Sequence, residues 1–236
     1  MMPPTTGVKG SPEAVDTKGS LVVDVVSDIV CPWCLIGKRK LERALSDLQR
    51  AEPSLDIKVR WHPFQLNPDL PADGMPRASY VARKFGASAR AADVYARVAS
   101  VGESLGIPFR FDRIERQPNT FDGHRLIAWA QRQGDANALV ERLFTAFFLE
   151  GADVGDRAEL ARLAALCGWS QEDARRALDS DAMREEVENE SGEALDVGIQ
   201  GVPFFIFNGR IAVSGAQEPG VLLEAITAAR GDAPST

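Results

Sequence analysis

The sequence predicts an α/β fold in which a sheet of order βαβ…ββα is split by a large all-helical insertion. Three observations carry this expectation. Near the start of the chain, a short β-branched run, a Cys-x-x-Cys and a helix-spaced segment follow one another between Leu21 and Leu45. Residues 76–195 read almost throughout as helix. Past Gly198 the strand signal returns as two short runs joined by Asn208-Gly209, a strong two-residue hairpin turn.

The elements follow in order. Leu21 to Val26, broken only by Asp24, reads as a buried strand, and Leu35 to Leu45 has apolar residues at close to helical spacing. After the break at Glu52-Pro53-Ser54, Ile57, Val59 and Trp61 alternate with Lys58, Arg60 and His62, the pattern of a half-buried strand ending near Phe64. Strand, helix and strand with a short return make a βαβ unit, right-handed by default. A Pro-punctuated loop, Phe64 to Pro71, closes it. Helices are then expected over Tyr80–Phe85, Ala89–Leu105, Asp122–Gln133, Asn137–Phe148, Arg157–Cys167, Gln171–Leu178 and Met183–Val197, with Ser170 ahead of Asp173 as a capping box. No strand pattern is visible in this block. Strands at Phe204–Phe207 and Arg210–Ser214 and a closing helix at Pro219–Ala229 complete the chain. The expected organisation is a tail over residues 1–19, a sheet domain formed by 20–75 with 196–231, a helical insertion domain over 76–195, and a short polar C-terminal tail.

Cys31-Pro32-Trp33-Cys34 sits where the first strand hands over to the first helix. With Cys31 as the N-cap, Pro32 falls at the first helical position, where its missing N–H costs nothing. A sulfur at the N-cap faces unpaired backbone N–H groups and the positive end of the helix dipole, and a thiolate is the nucleophile. Cys34 lies one turn further in, placed to attack a mixed disulfide formed by Cys31. A zinc site needs a second ligand pair, and Cys167, His62 and His124 are scattered. A structural bridge closing so short a loop restrains little of the unfolded chain. A CxxC on a βα unit in a chain with only three cysteines therefore reads as a thioredoxin-like redox site.

Composition bounds the rest. A net charge of −7, with no basic patch interleaved with aromatics, argues against nucleic-acid partners. No apolar run reaches the length of a membrane span. Met1 to Gly19 has no apolar core of a signal peptide and reads as a disordered tail, so the expected compartment is the cytoplasm. Thiols are kept reduced there, and a CxxC is more often catalytic or redox-sensing than structural.

Gly201-Val202-Pro203-Phe204 is the second half of the expected site. A Pro opening a strand forfeits a ladder hydrogen bond. A cis Val202–Pro203 bond is one reason to keep it, an ordinary trans Pro the alternative. Beside a CxxC helix start, a cis-Pro loop leaves the backbone of Val202 free to bind an extended peptide or thiol substrate.

Taken together, the ordered segments resemble the DsbA family, and within it the FrnE-like branch of cytosolic oxidoreductases. The segments are Ser27-Asp28 with Cys31 to Cys34 and Gly37; Trp61-His62-Pro63-Phe64 with Leu66-Asn67-Pro68; and Pro118-Asn119-Thr120 with His124-Arg125-Leu126. Leu143-Phe144, Phe147-Phe148, Glu150-Gly151, Gly201 to Phe205 and Val213 to Gln217 continue the set over nearly the whole chain. The resemblance implies Cys31 as nucleophile, Cys34 as resolving cysteine and Pro203 as the cis-proline. Related 2-hydroxychromene-2-carboxylate isomerases and kappa-class glutathione transferases typically carry serine in place of the nucleophilic cysteine, whereas this chain keeps both. Some members of the branch have a further C-terminal cysteine pair, which this chain lacks, so no relay through a second dithiol is expected.

The expected function is a thiol–disulfide oxidoreductase, acting as a reductase or isomerase on protein or small-molecule disulfides. It needs no metal or tightly bound cofactor, takes glutathione as its small-thiol co-substrate, and works as a monomer or homodimer. The alternatives are a glutathione-dependent isomerase or transferase and a non-catalytic redox-regulated binding module. Trp33 is expected to form an apolar rim for substrate, and Pro32, Val202 and Pro203 to border it. Asn119 and His124 are secondary candidates over the CxxC, His124 for proton transfer or a substrate carboxylate; the competing readings are a helix cap for Asn119 and a satisfied, partly buried side chain for His124. Cys167 is expected to be an inert buried thiol.

Overall fold

The computed structural model describes residues 19–86 and 88–231. Met1 to Lys18 of the expected N-terminal tail, and residues 232–236 of the C-terminal one, lie outside them. The chain runs through β1 (Ser20–Ser27), α1 (Pro32–Ala51) and β2 (Asp56–Pro63). β2 lies parallel to β1 with Leu21 opposite Ile57 and Val25 opposite Trp61. α1 starts where expected, with Cys31 as N-cap and Pro32 in the first turn, and buries Leu35, Ile36, Leu41 and Ala44 against the sheet.

The central segment holds one element that the sequence pattern does not show. β3 (Met75–Pro76) pairs antiparallel with β4 (Arg116–Gln117), which lies inside the block expected to be wholly helical. Two residues span a single side-chain alternation, too little to leave a periodic signal. Gly74 permits the approach: its φ is +67°, and a Cβ there would stand 2.4 Å from the Gln117 carbonyl oxygen. Between these strands come α2 (Arg77–Phe85), α3 (Ser88–Ser104) and a 3₁₀ turn at Phe111–Arg113.

α4 (Phe121–Gln131) and α5 (Asn137–Thr145) follow. The helix expected to run on to Phe148 instead widens into a π-helical turn over Ala146–Glu150. Consecutive Ala146, Phe147 and Phe148 are all buried there, more than one face of a regular helix accommodates. α6 (Arg157–Leu166), α7 (Gln171–Asp179) and α8 (Arg184–Asp196) complete the helical segment. The Ser170 hydroxyl accepts from the Asp173 N–H at 3.2 Å, as a cap should. α6 ends one residue before Cys167, and Gly168, at φ +89°, turns the chain away. Cys167 is thereby half-buried rather than buried, correcting the expectation for this thiol.

β5 (Phe204–Phe207) and β6 (Ile211–Ser214) return to the sheet, followed by α9 (Pro219–Arg230). The strand order is β2-β1-β5-β6, with β5 antiparallel to β1 and β6 antiparallel to β5. Asn208 and Gly209 both have positive φ, the geometry of a tight hairpin turn. α1 and α9 pack together, while α4 and α8 pack on β2. The Gln131 side chain closes the free edge of β2, accepting from the Trp61 N–H at 2.6 Å and donating to its carbonyl at 2.9 Å.

Candidate active site

The site is built where β1 gives way to α1. The chain turns through Asp28 to Val30, and the Cys31 N–H donates to the Asp28 carbonyl at 2.9 Å. Cys31 is extended (φ −92°, ψ 112°) and the helix begins after it; the Cys34 N–H then bonds back to the Cys31 carbonyl at 3.0 Å. Both cysteines are free thiols. Cys31 is 4% exposed and Cys34 2%, while Trp33 between them is 39% exposed. Leu66, whose N–H is held by the Asp28 carboxylate at 2.8 Å, is a second exposed apolar side chain close to the site.

The loop before β5 supplies the opposite wall. The Val202–Pro203 bond is cis, and the Cys31 thiol reaches the Val202 carbonyl oxygen at 3.6 Å. Gly37, on α1 one turn past Cys34, makes room for this loop. A Cβ at Gly37 would stand 2.7 Å from Pro203 Cγ and 3.1 Å from Phe205 Cζ. Lys40 on the same helix bonds the Ala216 carbonyl at 3.1 Å and Glu218 at 2.6 Å. The two halves of the candidate site, far apart in sequence, are thus held in register by contacts along α1.

Beneath the cysteines lie Ser27, Asp28 and His124. Burial pushes the Cys34 thiol well above its ordinary pKa, and the neighbouring Cys31 adds to this; the Asp28 backbone and the Ser27 hydroxyl act in the opposite direction. Asp28 is fully buried, its carboxylate held by the N–H groups of Leu66 and Val30. His124, on the first turn of α4, is 4% exposed and lies with Nε2 3.6 Å from Asp28 Oδ1. The buried ring thus lies against the Asp28 carboxylate. Asn119 also turns inward. Its Oδ1 accepts from the Phe121 N–H at 3.0 Å and from Gln65 Nε2 at 2.9 Å, and its Nδ2 donates to the Leu70 carbonyl at 2.8 Å. These bonds tie the start of α4, whose N-cap is Thr120, to the loop after β2.

A polar cluster that the sequence reading did not assign lies on the face of the sheet opposite α1. Asp24, 7% exposed, accepts from Arg60 at 2.6 and 2.8 Å and meets His62 Nε2 at 2.8 Å. His62 Nδ1 meets Glu190 of α8 at 3.0 Å. Burial works against a charged His62, but the hydrogen bonds to Asp24 and Glu190 outweigh it and push the imidazole up to about 9. Burial raises Asp24, and the bonds from His62 and Arg60 overcome this and bring it below its ordinary value. The available signal was a lone carboxylate in an apolar strand, which the parallel register sets directly opposite Arg60.

Comparison with known proteins bears on the whole arrangement. A crystal structure of a probable DsbA oxidoreductase, SCO1869 from Streptomyces coelicolor, is 31% identical, with each chain covered over 92% of its length and a TM-score of 0.79. The uncharacterized protein YwbO of Bacillus subtilis (strain 168) is 27% identical over 213 residues, 87% of this chain and 95% of that one. The cytosolic disulfide reductase DsbM of Pseudomonas aeruginosa, in a structure with GSH, has the same fold at 20% identity and a TM-score of 0.58, over 89% of this chain and 96% of that one. The profile of the DSBA-like thioredoxin domain matches residues 22–227. The chain, with its sheet of order β2-β1-β5-β6, its helical segment and its Cys31–Cys34 pair at the head of α1, belongs to the DSBA-like thioredoxin domain family.

Proposed function

We propose that the protein is a thiol–disulfide oxidoreductase working through Cys31 and Cys34. The observation that carries the reading is the position of Cys31: an N-cap thiol 3.6 Å from the Val202 carbonyl, with the exposed Trp33 beside it and Cys34 one turn behind. An extended substrate lying against Val202 would bring its sulfur to Cys31, with the strand-edge backbone and the Trp33 ring supplying contacts that do not depend on substrate sequence. Cys31 attacks the substrate disulfide to form a mixed disulfide and release one thiolate. Cys34 attacks the Cys31 sulfur, the Cys31–Cys34 bond forms, and the second thiolate leaves. Run backwards, the same steps oxidise a dithiol.

In the reducing cytoplasm, the compartment that the sequence favours, the net direction is reduction or isomerisation of protein and small-molecule disulfides. Glutathione is the proposed small-thiol co-substrate returning the pair to the dithiol, in keeping with the GSH present in the DsbM structure. Among the described residues, no helix is long and apolar enough to cross a membrane.

The test is a titration of the pair in glutathione buffers, followed through Trp fluorescence, with reduction of a protein disulfide measured alongside. A reversible two-electron transition and turnover, both lost in Cys31→Ser, are expected. A pair that never cycles would overturn the proposal, and activity indifferent to Cys34→Ser would favour a glutathione-dependent isomerase or transferase instead.

A further inference from the structure

The second step leaves one proton without an evident path. Cys34 has to lose it to attack the mixed disulfide, yet the thiol is 2% exposed and burial opposes its ionisation. The Ser27 hydroxyl is close enough to favour the Cys34 thiolate, but in the dithiol form it makes no hydrogen bond. Ser27 also borders a cavity of about 20 Å³, together with Ile29, Trp61, His62, His124 and Gln131 among others. That is room for one water molecule. Two of the buried polar atoms around it, Ser27 Oγ and His124 Nε2, are without hydrogen-bond partners. A water there would have two donors or acceptors waiting for it.

Both histidines of the chain border this one cavity, and they are not equivalent. His62 has each ring nitrogen engaged, by Asp24 and by Glu190. His124 has Nε2 unbonded and facing the Asp28 carboxylate at 3.6 Å. The other ionisable groups bordering the cavity, Glu186 and Glu190 of α8, are paired with Arg132 and His62. α5 contributes only the apolar Val140.

We propose that Ser27, a water held in this cavity and His124 form the path by which Cys34 loses and regains its proton. The inference rests on the oxidoreductase reading above. In the resolving step, Cys34 passes its proton to Ser27 Oγ as the Ser27 proton moves to the water and a water proton to His124 Nε2. The Cys34 thiolate attacks the Cys31 sulfur, the Cys31–Cys34 bond forms, and the substrate thiolate departs with the electron pair of the old bond. The imidazolium faces Asp28 and later yields its proton to solvent; reduction of the pair runs the same path in reverse. Ser27 is the group in this path whose hydroxyl favours the Cys34 thiolate. His124 and Asp28 act through the water and through charge, as positioning residues.

Stopped-flow reaction of the reduced protein with an aromatic disulfide, 5,5′-dithiobis(2-nitrobenzoate), separates the two steps. One coloured thiolate is released on attack by Cys31 and a second on resolution by Cys34. Ser27→Ala and His124→Gln are each expected to slow the second phase by about 100-fold, the lower range for general acid–base catalysis, and to leave the first phase unchanged. Their second phase should become dependent on hydroxide concentration at pH values where the wild type is level. Ser27→Thr, which keeps a hydroxyl, should restore the rate, an outcome that a purely structural role does not require. Ser27→Ala changes little volume and carries the test if His124→Gln fails to fold. A second phase with wild-type rate and pH profile in Ser27→Ala would overturn the relay while leaving the oxidoreductase reading intact. A wild-type protein with no second phase would overturn that reading itself.

Discussion

Gly37 shows how a single residue can place the two halves of the candidate site together. Its missing side chain is occupied by the Pro203 ring, and an added Cβ would meet Pro203 Cγ at 2.7 Å. Both partners are constrained, one by the helix and one by the ring, so relief requires the loop before β5 to move. Gly37→Ala is expected to destabilise the protein by about 1–3 kcal/mol, the usual cost of overpacking. Because the displaced loop carries Val202, the reaction of Cys31 with a protein disulfide should slow as well. Denaturant melts and initial rates check this, and a variant with unchanged stability and rate would show that the contact is not limiting. At this scale the sequence was informative about chemistry and silent about environment. Cys31 and Cys34 were legible from their spacing and their position between strand and helix. His124 was visible as a candidate, but its neighbour Asp28 was not, because a helix pattern gives a face only after the neighbours of that face are known.

Among elements, the join between the sheet and α8 depends on His62. The imidazole is held between Asp24 of β1 and Glu190, with its pKa raised from 6.5 to about 9. A group whose folded value is raised contributes its full stabilisation below the unfolded value, here about 6.5, and loses it as pH rises through the folded value. Asp24 has the opposite sign: its lowered pKa stabilises the fold above its ordinary value of 3.8, and that contribution is lost on acidification. The wild-type melting temperature should therefore decline between pH 7 and about 9 as the His62 charge is lost. In His62→Gln that decline should flatten; a decline of the same size would assign it to other groups. Asp24 interrupts the first strand visibly in the sequence, yet its partners Arg60 and His62 are identified only once the parallel register sets β2 beside β1. The strand pair β3–β4 went unseen for a related reason, since it exists through backbone pairing across the helical segment rather than through any local pattern.

For the molecule as a whole, one large buried cluster runs across the boundaries expected at residues 75/76 and 195/196. Val23, Val25 and Phe205 of the sheet belong to the same buried cluster as Leu126, Leu143, Phe148 and Leu163 of the helical segment, and as Ile226 of α9. Buried Arg125 knits the helical segment internally, donating to the carbonyls of Ala177, Leu178 and Ala182 where α7 ends. We therefore expect a single cooperative unfolding transition, with Trp fluorescence and far-UV circular dichroism melting together. Separate transitions would mean that the helical segment unfolds as an independent unit. The sequence by itself determined the order of the four main-sheet strands and the long helices, the strand-to-helix position of the CxxC and the hairpin at Asn208-Gly209. Those follow from side-chain periodicity, proline and glycine geometry and short-range spacing. Tertiary structure alone decided that Val202 meets Cys31, that Pro203 fills the space at Gly37, and that Ser27 and His124 border one cavity. Such neighbours lie from about a hundred to more than a hundred and fifty residues apart along the chain, beyond the reach of any local pattern, and are joined only when the sheet closes around its crossover.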